Sequence, residues 1–153
     1  MSINFSYLES ALMTIEWKDH YKIGDQVIDA QHEELFRLAN EFISAKEKAA
    51  QTQCAMLFYK HTREHFKYEE DLMRRVNYPD LATQVTLHND LISKLNTVSQ
   101  RIAEGGLNMK DLENLITHWT TQHILHEDGR LIGYVTAHLK AQPNLEEDSI
   151  SST

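Results

Sequence analysis

Five polar residues stand where helical periodicity would place apolar ones. They lie on stripes of apolar residues that recur at steps of three and four: His32, His65, Glu69, His88 and His123. One buried histidine is more often a hydrogen-bonded core residue than a ligand, but burying five such groups without partners would be costly. Imidazole nitrogens and carboxylate oxygens can replace water around a transition-metal ion, which satisfies their lone pairs. The set therefore predicts a metal site inside a helical core.

The spacing of these residues limits how they can meet. His65 and Glu69 are four residues apart, so both side chains can reach one site from the same helix. The carboxylate partner of His123 stays open on spacing alone. Glu127 is one turn away, whereas Asp128 is five residues away and needs a local widening of the helical turn.

Other metal motifs are missing from the sequence. It has no H-E-x-x-H, no cysteine pair and no glutamate three residues before any of its nine histidines, which disfavours zincin and ferritin-like sites. His61, one turn before His65, is a reserve ligand. The remaining histidines are expected at the surface or at helix ends: His20, His118, His126 and His138.

Long helices must position these residues, because glycine and proline are sparse, at five and two of 153 residues. Four helices are predicted, each bounded by a cap or a turn. The first runs from an N-cap at Asp29 to residues 46–50, and the second from a cap at Thr52 to the turn at residues 77–79. The third has Pro79 in its first turn and stops at Gly105, and the fourth starts with a capping box at Asn108 and Asp111. A shorter helix is expected over residues 131–140.

Helices of similar length joined by short loops pack as an antiparallel up-down bundle. The predicted fold class is therefore all-α, a four-helix bundle with a short C-terminal helix, in one domain over residues 1–141. Residues 1–27, with Trp17 and Tyr21, are expected to form a non-helical arm that covers the bundle. The acidic, serine-rich residues 142–153 are expected to be a disordered tail or a truncated linker.

Composition excludes several classes of partner. The net charge of −8 repels nucleic acid and anionic lipid surfaces. No apolar run approaches the roughly 20 residues of a membrane span, and no signal-peptide pattern opens the chain. Cys54 is the single cysteine, which excludes an internal disulfide and is typical of a small core residue. A cytoplasmic location is predicted.

The chain resembles the hemerythrin family, in its bacterial branch, from about Trp17 to Leu139. The matching segments are residues 28–32 (IDAQH), residues 65–70 (HFKYEE), Tyr78-Pro79 leading to His88, and Trp119 followed by His123-Ile124 and Asp128. The resemblance implies two iron ions with bridging carboxylates and a bridging oxygen. By this resemblance His32 and His65 hold the iron that keeps a position open for dioxygen, Glu69 and Asp128 bridge, and His88 and His123 hold the second iron.

One position departs from the family pattern. The family has a pair H-x-x-x-H where this chain has Gln84 four residues before His88. A neutral amide oxygen binds ferrous iron more weakly than imidazole does. Gln84 is expected to ligate weakly, to orient a water or to leave the position to solvent, so that the oxygenated form decays quickly to the diferric state.

Function follows from the resemblance and from this departure. The resemblance implies dioxygen binding, and Gln84 favours an oxygen or redox sensor over a stable oxygen carrier or storage protein. A fused or separate signalling output domain is an expected partner, although the sequence contains none. Two alternatives stay open: a diiron oxidase or peroxide-handling enzyme, and a metal-free helical interaction module.

Overall fold

The computed structural model describes residues 17–141, with side chains up to residue 139, and this part of the chain contains helices and no strand. The helices are α1 (Gln26–Ser44), α2 (Lys48–Arg75), α3 (Leu81–Ala103), α4 (Met109–His118) and α5 (Asp128–Ala141). A π-helical segment, Trp119–Glu127, joins α4 to α5 without a break, so these three form one long fourth rod. The predicted all-α four-helix bundle is confirmed. Residues 1–16 of the predicted arm and the predicted tail, residues 142–153, lie outside the described residues.

The apolar core forms two clusters, and the polar stripe residues fall between them along the chain. One cluster contains Phe36, Phe58 and Trp119. The other contains Ile28 and Leu131. On α2, Glu69 lies between Phe66 of the first cluster and Leu72 of the second; on α1, His32 lies between Leu35 and Ile28. A polar layer therefore crosses the bundle between two apolar layers.

The first helix begins earlier than the sequence indicated. Its N-cap is Asp25, whose carboxylate accepts a hydrogen bond from the Ile28 backbone nitrogen at 2.9 Å. Gly24, with φ of 101°, makes the turn that brings Asp25 to this position. Asp29 lies in the first turn and instead accepts from the Ile23 backbone nitrogen at 2.8 Å. The helix also ends earlier, at Ser44.

Two further predicted helix starts were misplaced by a few residues. The second helix begins at Lys48, and Thr52 is not its cap, because the Thr52 hydroxyl donates to the Lys48 carbonyl at 2.9 Å within the helix. The third begins at Leu81 after an N-cap at Asp80, so Pro79 precedes the first turn. The cap at Asn108 is correct, since its side chain accepts from Lys110 and Asp111 nitrogens.

The fourth rod differs most from expectation. The sequence predicted a separate, shorter helix over residues 131–140, with Gly129 before it and Gly133 inside it. The structure continues the helix through both glycines to Ala141. Leu131 and the neighbouring Ile132 pack in the second cluster, and this tertiary burial offsets the low helix propensity of glycine.

The segment before α1 covers one side of the bundle. Trp17 and Tyr21 both lie against Phe36, with ring centroids 5.4 and 5.7 Å away. Residues Asp19–Tyr21 form a short 3-10 turn, and α1 begins at Gln26, inside the range of the predicted arm, residues 1–27. No helix within residues 17–141 is long and apolar enough to cross a membrane.

Candidate metal centre

All four rods contribute a side chain to the polar layer. His32 comes from α1, His65 and Glu69 from α2, His88 from α3, and the fourth rod supplies two more. Each of the six is nearly or fully buried, with relative exposures of 0% for His32, His65 and Glu69, 1% for Asp128, 2% for His88 and 7% for His123. The structure therefore brings together the residues that the sequence proposed as ligands.

The nitrogen and oxygen atoms of these residues form two groups, each compact enough for a metal ion. His32, His65, Glu69 and Asp128 make the first group, with one ligand atom from each within 4.8 Å of the others. Glu69, His88 and His123 make the second group by the same measure. Glu69 belongs to both.

Two carboxylates connect the histidine pairs. Glu69 Oε1 lies 2.6 Å from His65 Nε2, and its other oxygen, Oε2, lies 3.3 Å from His88 Nε2 and 3.4 Å from His123 Nε2. Asp128 shows the same division: Oδ2 is 2.6 Å from His32 Nε2 and Oδ1 is 3.1 Å from His123 Nε2. Each carboxylate thus directs one oxygen to each side, as a carboxylate that bridges two cations must.

The π-helix explains how Asp128 joins His123 from five residues away. A wider turn places residues five apart on the same face, and the Asp128 backbone N–H donates to the His123 carbonyl. Glu127, the candidate that an ideal α-helix favours, lies outside both groups and instead contacts Gln84. The open choice between the two carboxylates is decided here by the local backbone.

Two polar residues orient the histidine rings. Gln31 Oε1 lies 2.7 Å from His65 Nδ1, and Glu70 Oε2 lies 3.2 Å from His88 Nδ1. Because both oxygens accept, each Nδ1 carries the proton when the ring is neutral, and each Nε2 lone pair is free for a cation. His88 is also held by Phe66, which stacks on it at 3.8 Å.

Sequence reasoning missed the roles of Gln31 and Glu70. Both stand inside the matched segments, but their partners are 34 and 18 residues away, on other helices. The only available signal was a polar residue next to a candidate ligand, which a solvated surface residue also provides.

Unpartnered polar atoms in the layer test whether metal ions fit. Several buried atoms make no hydrogen bond and meet only other atoms of the layer, at the distances given above: both oxygens of Glu69, Nε2 of His88 and His123, and Oδ1 of Asp128. Such groups are rare in a buried core because each costs free energy. Imidazole nitrogen is an intermediate donor and carboxylate oxygen a hard one, a mixture that suits non-heme iron, and these atoms lie in two adjacent groups. The donor set fits a pair of transition-metal ions.

Electrostatics within the layer favour charged forms despite burial. Burial disfavours the charged form of His65, but Glu69 and Asp128 outweigh it and raise the pKa of His65 to about 9. Burial also disfavours the charged form of His123, but the carboxylates, mainly Asp128, outweigh it and raise the pKa of His123 to about 10. Burial opposes ionisation of Asp128 as well, yet the histidines hold its pKa well below the usual range. The contacts of His65 with Glu69 and of His123 with Asp128 are therefore buried ion pairs.

Metal binding is therefore expected to release protons, because a protonated imidazole has no lone pair for a cation. At pH 7.5 the protons displaced from His65 and His123 should amount to about two per chain. Affinity should rise with pH until it passes the raised pKa values of about 9 and about 10. Anaerobic ferrous titration in weak buffer with a pH indicator measures the release; an affinity that stays constant between pH 6 and 9 would contradict this interpretation.

The remaining sequence candidates lie elsewhere. Gln84 is 1% exposed on α3, as its stripe position indicated, and its Nε2 donates to Glu127 Oε2 at 2.6 Å. His61 is half-buried and belongs to neither group, because the inward stripe of α2 steps from Phe58 to Thr62 instead.

The four surface candidates also lie outside both groups: His20, His118 and His126 are exposed, and His138 is half-buried. Cys54 packs half-buried against the larger core cluster.

Comparison with known proteins agrees with this donor set. The family model for the hemerythrin HHE cation binding domain matches residues 23–135. A bacteriohemerythrin of Stenotrophomonas maltophilia (strain R551-3) is 29% identical over 126 residues, which cover 80% of this chain and 82% of that protein. A bacteriohemerythrin of Pseudomonas aeruginosa (strain LESB58) is 29% identical over 135 residues, covering 86% of each. The myohemerythrin of Theromyzon tessulatum is 22% identical over 118 residues, covering 77% and 91%.

The family match covers most of the chain and includes every residue of the polar layer. Proteins of this family bind a non-heme di-iron centre and dioxygen, which agrees with the two adjacent donor groups and their shared carboxylate. By fold, donor set and sequence match, this chain belongs to the hemerythrin family.

Proposed function

We propose that this chain is a non-heme di-iron domain that binds dioxygen and acts as an oxygen or redox sensor. In this proposal Glu69 and Asp128 bridge two irons; His32 and His65 hold one, and His88 and His123 hold the other. The observation that carries it is the pair of buried carboxylates, each with one oxygen near each histidine pair. We assign the domain to residues 1–141, and its cytoplasmic location stays a prediction from sequence.

The chain's own residues prepare the site for this chemistry. Two ferrous ions bound here would supply the two electrons for reversible reduction of dioxygen. His32 and His65 are 0% exposed, so bulk water is excluded from the side where the family resemblance puts the open position. Gln31 and Glu70 hold the Nε2 atoms of His65 and His88 toward the centre. The two carboxylates offset part of the cationic charge that burial would otherwise penalise.

Gln84 supports sensing over stable oxygen carriage. It stands where the family places a histidine, and a neutral amide is a weaker donor to ferrous iron than imidazole. A less firmly held second iron favours a short-lived oxygenated form, so that the protein reports oxygen or redox state through oxidation of the centre. A fused or separate output domain would receive this signal.

The direct test is iron analysis combined with visible spectra. Purified protein loaded with ferrous iron should contain about two irons per chain, as the family resemblance implies. Its spectrum should change on exposure to air and reverse with dithionite. Protein that takes up no stoichiometric iron, or that shows no response to air, would contradict the proposal.

Replacing Gln84 with histidine tests the sensing part. The variant should hold the second iron more strongly, and the absorbance of the oxygenated protein should persist at least several-fold longer in stopped-flow measurements. The matched control is Gln100→His, an exposed position on the same helix, which should leave the lifetime unchanged. Equal lifetimes in wild-type and Gln84→His protein would refute the role given to Gln84.

A second candidate function is favoured by one cavity. A pocket of about 210 Å³ is bordered by Trp119, His123 and Glu127, so a small substrate could approach His123 from the surface. A diiron oxidase or peroxide-handling enzyme would use such access. Steady turnover of hydrogen peroxide or of a reductant by the iron-loaded protein would favour this enzyme over the sensor.

A further inference from the structure

The contact between Gln84 and Glu127 indicates a function for Glu127, which is not among the proposed ligands. We infer that Glu127 is a positioning residue that turns the Gln84 amide so that its oxygen, Oε1, is a ligand of the second iron. This inference rests on the proposed function, because it takes the second iron to lie with His88 and His123.

The two ends of the Gln84 amide have different surroundings. The side chain is 1% exposed, Nε2 lies 2.6 Å from Glu127 Oε2, and Oε1 is buried without a hydrogen-bond partner. Gln84 and His88 are one turn apart on α3, which places both on the same face of the helix. Oε1 is thus a buried, unsatisfied acceptor on the face that carries a proposed ligand of the second iron.

The chemistry of the two groups fixes which end of the amide faces which partner. An amide has lone pairs for a cation only on its oxygen, and its NH₂ group only donates. A carboxylate only accepts hydrogen bonds, so Glu127 selects Nε2 and leaves Oε1 for the other side. Without Glu127 the amide could rotate by half a turn and present NH₂ to the cation. The hydrogen bond also polarises the amide, which strengthens its oxygen as a donor.

Glu127 is itself held in place from α3. Arg130 Nη1 lies 3.6 Å from Glu127 Oε2, and Arg130 Nη2 donates to Asp80 Oδ2 at 2.9 Å. Asp80 is the N-cap of α3, the helix that carries Gln84. These contacts link Glu127 through Arg130 and Asp80 to α3, and they restrict where the Glu127 carboxylate can move.

The consequence is a change of donor at the second iron. Where the family has an imidazole, this chain supplies an amide oxygen whose orientation depends on a carboxylate from the fourth rod. Of the three fates expected for Gln84 from sequence, this selects ligation over an oriented water or an open position.

The test is an anaerobic titration of the metal-free full chain with ferrous iron, against a chromophoric chelator that reports free iron. Glu127→Gln should weaken binding of the second equivalent by about 10–100-fold and leave the first unchanged, as expected for loss of a residue that orients a ligand. The matched control is Glu104→Gln, which removes the same charge from the exposed far end of α3 and should bind both equivalents as wild type.

A double-mutant cycle shows whether Glu127 affects iron binding by orienting the Gln84 amide or only by its negative charge. In a Gln84→Leu background, which has no amide to orient, Glu127→Gln should cause no further loss of second-site affinity. Glu127→Asp keeps the charge but shortens the side chain, and it should weaken the second site as well. Wild-type affinity in either single Glu127 variant, or an undiminished loss in the Gln84→Leu background, would overturn the inference. A wild-type chain that binds fewer than two ferrous ions would instead contradict the proposed function.

Discussion

Replacing Glu69 with glutamine is expected to weaken both metal positions together. Glu69 is the residue common to the two donor groups, and its two oxygens face different histidine pairs. A glutamine keeps one oxygen but presents NH₂ on the other side, where it cannot bind a cation. Affinity for both ferrous ions should fall by more than about 100-fold, which exceeds the effect expected of a residue that only orients a ligand.

The adjacent Glu70 supplies the control for this experiment. Glu70→Gln makes the same chemical change one residue away, but Glu70 reaches the layer only through His88 Nδ1. This variant should weaken the second ion by about 10–100-fold and spare the first. Ferrous titration with iron analysis measures both. Binding of two ions by Glu69→Gln with wild-type affinity would show that Glu69 is not a bridge.

Removal of the metal ions is expected to destabilise the fold substantially. A ligand that binds only the folded state stabilises it by about 4 kcal/mol when its free concentration is 1,000 times its dissociation constant. Two such ions would contribute on the order of 8 kcal/mol, comparable to the whole stability of an ordinary domain. Thermal unfolding followed by circular dichroism should therefore show a much lower Tm after chelation.

The Glu69→Gln variant is also the control for this measurement, because its Tm should respond little to chelator. An unchanged Tm in the wild-type chain would indicate a metal-free helical module, the alternative in which the polar layer is held by ion pairs alone. The layer does contain buried ion pairs, between His65 and Glu69 and between His123 and Asp128, but such pairs offset their own desolvation only in part.

The bundle could be predicted from sequence because its signal is distributed over many residues. Stripes such as Leu91, Leu95 and Ile102 on α3 recur over several turns, and one misjudged residue does not change the period. Helix starts depend instead on single contacts. Asp25 and Asp29 are both acceptable caps, and the turn at Gly24, which selects between them, has no periodic signal.

The burial and clustering of the candidate ligands could be predicted from sequence, but much of their geometry could not; that they bind metal stays a prediction. The histidines on apolar stripes indicated buried ligands, and the family resemblance supplied Asp128 where helix geometry favoured Glu127. The contacts that orient the ligands join residues far apart in sequence, as between Gln31 and His65. Such partners follow from packing between helices, which a single sequence does not encode in any local pattern.

The π-helix has a consequence for the rest of the fourth rod. An α-helix advances about 100° per residue. A helical wheel that uses this angle therefore predicts the buried face correctly only while the helix stays regular. Across Trp119–Glu127 each residue advances less, and the angular error accumulates before α5 begins. The face on which Leu131 is buried is therefore set by the irregular stretch upstream. A deletion or insertion of one residue there would rotate the whole C-terminal helix about its axis.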